Sequence, residues 1–149
     1  MNAPEKARRL LEAKAVRPSA IRVSLLAHLL THPVHPTADQ LYQALLPEFP
    51  TLSKTSVYNT LDKLLQVQLV RLITIDEKET RYDADTAVHG HFFCKHCRNI
   101  TDFAANPDYS GCKELSGHQI TDSNVYLTGI CKACLQNNNN KKQREEKAV

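Results

Sequence analysis

Four of the five cysteines stand in two Cys-x-x-Cys pairs, Cys94/Cys97 and Cys131/Cys134, with residues 98–130 between them. A Cys-x-x-Cys turn presents two thiolates to one ion. Two such turns complete the sulfur tetrahedron that zinc favours. A closed shell leaves no position for a substrate, so the predicted role is structural and not catalytic. The competing readings of the spacing are a redox dithiol and chance pairing. An odd number of cysteines argues against a disulfide framework. Cys112 has no partner in the sequence and reads as an ordinary small side chain, buried or half-buried.

Just before the first pair lies His89-Gly90-His91. On a strand, residues two apart project from one face, so two imidazoles would stand side by side. That is half of a transition-metal site. Asp83, Asp85 and Asp102 are the nearby carboxylates, and Asp102 can return beside the His pair on a neighbouring strand. His35 lies far upstream, in a loop before a helix. Reaching the same ion, it would tether the two halves of the chain. Nitrogen and carboxylate donors suit Fe(II), Mn(II) or Zn(II), and the lack of thiolate weakens the case for a tight zinc site. The bland alternatives are a polar strand face for the pair and a solvated loop residue for His35.

The elements that must position these groups change character along the chain. Residues 4–15 are rich in good helix formers. Ser19 caps a helix over 20–30, which His32-Pro33 ends. Thr37-Ala-Asp-Gln40 is a capping box that opens a third helix, running through Leu46. Ser53 caps a fourth, with Val57, Leu61, Leu64 and Leu65 as its buried stripe. The β-branched run 69–75 and residues 80–83 read as two strands around a polar turn. Helices followed by a β-hairpin outline a winged helix-turn-helix. Beyond it, 91–94, 100–103, Ile120 and 125–130 look like short strands, and 106–117 like a modest helix. The expected class is α+β. A winged-helix domain spans 1–83, a hinge 84–88 and a small α/β domain with the four-cysteine site 89–135. A flexible tail follows at 136–149.

Composition narrows the function. The chain has 149 residues, 42% of them hydrophobic, which is enough for one ordinary domain or two small ones. A net charge of +3 permits nucleic acid as a partner without requiring it. No apolar run approaches a membrane span, and residues 1–6 lack the apolar core of a secretory signal. A membrane protein is excluded and an exported one disfavoured.

His89-Gly-His91-Phe-Phe-Cys94-Lys-His-Cys97-Arg-Asn-Ile-Thr-Asp102-Phe103 resembles the signature of the Fur family of metal-responsive bacterial repressors. Ser56-Val-Tyr58-Asn59-Thr-Leu61 resembles its DNA-recognition helix, and Gly129-Ile-Cys131-Lys-Ala-Cys134 its C-terminal Cys pair. The resemblance covers roughly residues 5–135. It implies structural Zn(2+) on Cys94, Cys97, Cys131 and Cys134. It implies regulatory Fe(2+) or Mn(2+) on His35, Asp83, His89, His91 and Asp102. Three His with two Asp is similar to the peroxide-sensing (PerR) branch. Iron-sensing members usually carry Glu where this chain has Asp83 and Asp102, and commonly Arg where it has Asn59. Zinc-sensing members often add a Cys ligand near the hinge. The segment 104–117 is shorter than the family's usual dimerisation helix, and the wing lacks its usual Gly.

The function so implied is a cytoplasmic, homodimeric, metal-dependent repressor on double-stranded operator DNA. It has no membrane partner, and hydrogen peroxide is its one small-molecule reactant. Peroxide would oxidise His89 or His35 through Fe(2+) and end repression. Iron sensing without peroxide chemistry and zinc sensing are the alternatives inside the family. On the reading helix, Lys54 faces phosphate and Thr55 and Ser56 offer short hydrogen-bonding groups. Tyr58 can meet a thymine methyl or a phosphate, and Asn59 can pair with adenine. Arg17, with Lys14 and Arg22, suits the backbone or minor groove. Outside the family stand a metal-dependent hydrolase, for which no general base or substrate motif is visible, and a zinc-stabilised protein–protein adaptor.

Overall fold

The computed structural model describes residues 1–147, with side chains to Lys141. The chain divides after Ala87 into two compact units. In the first, α1 (Ala3–Ala13), α2 (Ala20–Thr31), α3 (Ala38–Leu45) and α4 (Lys54–Gln66) precede the antiparallel pair β1 (Arg71–Ile73) and β2 (Arg81–Asp83). Each helix starts where a short polar side chain satisfies its free N–H groups. Asn2, Ser19, Thr37 and Ser53 each accept a hydrogen bond from the N–H three residues on. Asn2–Glu5 and Thr37–Gln40 close full capping boxes. Helix α2 buries Val23, Leu25, Leu26, Ala27 and Leu29, which leaves it apolar around most of its girth. Such a helix must sit inside its unit. Leu11, Leu41, Val57, Leu61 and Leu64 pack into the same core.

The turn between β1 and β2 has no glycine because Asp76 does that work. Its carboxylate accepts the Lys78 N–H at 3.0 Å and pairs with Arg81 at 3.4 Å.

In the second unit, β3 (Gly90–Cys94) is the middle strand, flanked by β4 (Ile100–Phe103) and β5 (Val125–Gly129). It pairs antiparallel with β4 and parallel with β5. Three expectations fail here. The helix expected over 106–117 is irregular chain with one 3-10 turn, Lys113–Leu115. Pro107 lies in it, and the Asp108 carboxylate takes the Ser110 N–H at 2.9 Å, a local bond that competes with helix. Ile120 lies in no strand and is exposed. The chain from 136 continues as helix α5 (Lys132–Lys147), where a flexible tail was expected. Its Asn run contains no Pro or Gly, and Lys, Gln, Arg and Glu are good helix formers. Residues 148–149 of that expected tail lie outside the described residues.

The hydrophobic core is unevenly shared. Every member of the main cluster lies between Ala7 and Tyr82. Among the described residues of the second unit, the buried apolar side chains are Phe93, Cys94 and Cys134. A unit so poor in apolar burial needs another source of cohesion.

Candidate functional site

Strand β3 ends at Cys94, and the turn after it brings Cys97 back. The Arg98 N–H donates to the Cys94 carbonyl at 2.8 Å, with Arg98 itself at φ 64°. Parallel pairing sets Gly129 of β5 beside Cys94, so the second pair arrives at the same end of the sheet. The four sulfurs lie within 4.8 Å of one another. Cys94 Sγ is 3.9 Å from Cys134 Sγ, and Cys97 Sγ is 3.8 Å from Cys131 Sγ. A zinc tetrahedron with bonds of about 2.3 Å has edges of about 3.8 Å, whereas a disulfide needs about 2.0 Å. The spacing fits an ion and not a bridge.

The electrostatics agree. Burial pushes the Cys94 thiol up, but the N–H groups of Cys97, Cys131 and His96 outweigh it and hold it down at about 6. The Cys131 thiol, then burial, pushes Cys134 up to about 12. Four sulfurs this close cannot all ionise unless a cation joins them. Cys112 stands apart. It is exposed, where a buried or half-buried side chain was expected, with its thiol 3.3 Å from Glu114 Oε2.

The predicted nitrogen and carboxylate ligands fall into two sets, one in each unit. In the first, the His35 imidazole is 2% exposed and its Nε2 lies 3.5 Å from Asp83 Oδ2. Asp83 ends β2, and the Asp85 N–H donates to its Oδ1 at 2.8 Å. Asp85, whose carboxylate takes the Ala87 N–H at 3.0 Å, is not among the residues whose donor atoms cluster. In the second unit, His91 stands opposite Asp102 in the β3–β4 register. Their Nε2 and Oδ1 are 3.5 Å apart, and His89 Nε2 lies 3.8 Å from the same oxygen. The two rings meet at 4.4 Å between centroids. Burying His35, Asp83 and His91 is costly unless they hold something. An open cavity of about 720 Å³ in the 109–120 loop shares no residue with these sets.

Helix α4 turns Lys54, Thr55, Tyr58 and Asn59 outward, as expected. Ser56 is only partly exposed, and its hydroxyl is 2.9 Å from the Ser53 hydroxyl in the helix cap. Arg17 is exposed, and its carbonyl is held by the Arg22 guanidinium at 3.0 Å. Arg22 is thereby committed to a turn.

Residues 13–128 match the model of the ferric uptake regulator family. The chain belongs to that family. It is 33% identical over 128 residues to the peroxide-responsive repressor PerR of Staphylococcus aureus strain USA300, covering 83% of this chain and 86% of the relative. The solved structure of PerR from Streptococcus pyogenes, described as a basis for peroxide sensing and gene regulation, matches at 30% identity and TM-score 0.51. It covers 90% of this chain and 94% of that one. The fold is also that of the Helicobacter pylori ferric uptake regulator, with TM-score 0.70, 19% identity, and coverage of 89% and 91%.

Sequence reasoning missed three residues that build the site of this family member. Gly90 lies opposite Phe103, whose ring covers its Cα; a Cβ there would come within 2.2 Å of the ring. Tyr126 of β5 sets its ring edge-on to His91, 6.0 Å between centroids. Arg81 reaches the backbone of His35 at 3.3 Å. The glycine between two histidines was a visible signal. The other two depend on pairings distant in sequence. Among the described residues no helix is long and apolar enough to cross a membrane.

Proposed function

We propose that this chain is a dimeric, metal-dependent transcriptional repressor that binds double-stranded operator DNA and responds to hydrogen peroxide. The observation that carries the reading is one donor chemistry divided between two units. Buried His35 and Asp83 belong to the first, and His89, His91 and Asp102 to the second. Two or three donors hold a transition ion poorly. Three imidazoles with two carboxylates suit Fe(2+) or Mn(2+). One ion taking ligands from both sets would couple the DNA-binding unit to the sheet unit. Metal would then favour the DNA-competent form, and DNA would tighten metal binding by the same factor. Zn(2+) on Cys94, Cys97, Cys131 and Cys134 has the structural role.

Helices α2 to α4 with the β1–β2 hairpin follow the plan of a winged helix-turn-helix, with α4 as reader. A two-fold dimer offers two copies of α4 to a two-fold symmetric site. Lys54 supplies charge for phosphate and Asn59 a bidentate partner for adenine. Peroxide sensing is favoured by Asp at both carboxylate positions, by Asn59 after Tyr58, and by the identity with a peroxide-responsive repressor. Fe(2+) held by these residues would open the O–O bond of hydrogen peroxide; one oxygen would go to His89 or His35, the other would leave as water, and the loss of that ligand would end repression. Binding to operator DNA puts the protein in the cytoplasm.

The test is titration of duplex DNA, enriched from a random pool with Mn(2+) present, against zinc-loaded protein with and without Mn(2+). Tighter binding with Mn(2+) is expected, and equal affinity refutes the switch. Mass spectrometry after peroxide treatment of Fe(2+)-loaded protein should show one added oxygen on His89 or His35. An unmodified chain would favour iron sensing without peroxide chemistry.

A further inference from the structure

The hairpin of the first unit buries a charge that DNA reading does not use. The Arg81 side chain is 11% exposed and pairs at 3.4 Å with Asp76, whose carboxylate is 1% exposed. A second contact, to Glu79, is also 3.4 Å. The buried Arg81 Nε meets no acceptor among the described residues. A buried ion pair with an incompletely satisfied guanidinium is a costly way to hold a hairpin, and an apolar pair would serve as well. Another duty must account for it.

That duty lies at the other end of the guanidinium, which donates to the His35 carbonyl at 3.3 Å. His35 sits at φ 51°, in the left-handed region that few non-glycine residues occupy. The next carbonyl, of Pro36, accepts the Tyr82 N–H at 3.0 Å. The residue after that, Asp83, sets its carboxylate 3.5 Å from His35 Nε2. Three consecutive residues of β2 therefore serve one loop, by side chain, backbone and side chain in turn.

We propose that Arg81 is a positioning residue for the regulatory metal centre: anchored on buried Asp76, it holds the His35 backbone in its left-handed conformation and so aims the imidazole at the ion. The inference rests on the metal centre proposed above. Groups that orient a metal ligand without touching the ion commonly change affinity by about 10- to 100-fold when removed.

Two variants test it. Arg81→Lys keeps a positive charge beside Asp76 but cannot reach both the carboxylate and the His35 carbonyl. The double variant Arg81→Met/Asp76→Leu removes the whole buried pair and leaves no uncompensated charge inside. Each is titrated with Mn(2+) in the zinc-loaded full chain. The visible spectrum of Co(2+) added in its place reports coordination geometry, and thermal unfolding is followed without either ion. The expected result is a loss of Mn(2+) affinity of roughly 10-fold or more in both variants. An altered Co(2+) spectrum and a metal-free melting point close to the parent's in the double variant should accompany it. A folded variant with parental Mn(2+) affinity and Co(2+) spectrum overturns the proposal. Should the double variant not fold, Arg81→Lys decides alone. His91→Ala separates the two levels. If Mn(2+) binding does not need His91, the metal-centre reading fails and takes this inference with it. If binding needs His91 but not Arg81, only the positioning role falls.

Discussion

Lys54 Nζ lies 3.0 Å from Asp39 Oδ1, and both side chains are more than half exposed. The residue at the first turn of α4, the proposed reading helix, thus already has an anion, supplied by the first turn of α3. An exposed pair is weak, so a phosphate can replace Asp39 as partner. Asp39 would nevertheless remain as a like charge beside that phosphate. Asp39→Asn should bind duplex DNA a few-fold more tightly. The salt dependence should steepen by up to about one unit, because one more cation is available to phosphate. Anisotropy titrations at several salt concentrations measure both. Superimposable curves for variant and parent would show that α4 does not meet the backbone through Lys54.

The thiolate cluster should hold the second unit together. That unit buries few apolar side chains of its own, and its four sulfurs already have tetrahedral spacing. In such a domain the metal-binding free energy is largely folding free energy. Cys134→Ser, or a strong chelator, should abolish the protection of β3 and β5 amides from hydrogen exchange. The amides of α2 and α4, which rest on the Ala7–Tyr82 core, should stay protected. Loss of protection in both units together would mean that the cluster stabilises the whole chain.

Much of the first unit was legible because its signals are local. The caps Ser19, Thr37 and Ser53 each do what their position implies. The ends of α1 and α4 carry no glycine. They close with Ala15 at φ 54° and Gln68 at φ 59°, where glycine is the usual marker. The Val16 N–H to Leu11 carbonyl and Leu69 N–H to Leu64 carbonyl bonds, both 2.9 Å, supply the closure instead. The cysteine pairs could be read from spacing, since each ligand pair is local. The place of Asp83 could not, because it turns on the Pro36–Tyr82 backbone bond that brings His35 beside it. Nor could Tyr126, whose place beside His91 depends on a parallel pairing across a long irregular loop.

Gly90 separates two histidines of the proposed metal centre for a reason that mutation can expose. With no side chain, it lets the Phe103 ring lie over the strand between His89 and His91. A methyl group there would stand 2.2 Å from the ring. Gly90→Ala must therefore expel Phe103 or shift β4, which carries Asp102 in register with His91. Overpacking of this kind costs about 1–3 kcal/mol. The variant should lose Mn(2+) affinity while retaining zinc, as measured by Mn(2+) titration and elemental analysis. Undiminished Mn(2+) affinity would show that Asp102 does not depend on this strand pairing.

The first unit should also lose stability in mild acid, through a histidine outside either ligand set. The rings of His28 on α2 and His32, the residue that caps its C-terminus, stack at 4.2 Å between centroids. Burial, and then the neighbouring His32, hold His28 below its ordinary value of 6.5. The unfolded chain therefore takes up a proton on His28 at a higher pH than the folded chain does. By linkage, stability rises with pH wherever the unfolded state binds more protons. The contribution of neutral His28 is fully present above about pH 6.5 and fades as the pH falls from there through the lower folded value. His28→Gln, which has no proton to gain, should flatten that dependence. Urea unfolding of the α2 and α4 signal between pH 7.5 and 5 provides the measurement. A midpoint that falls equally in parent and variant would assign the acid sensitivity to other groups.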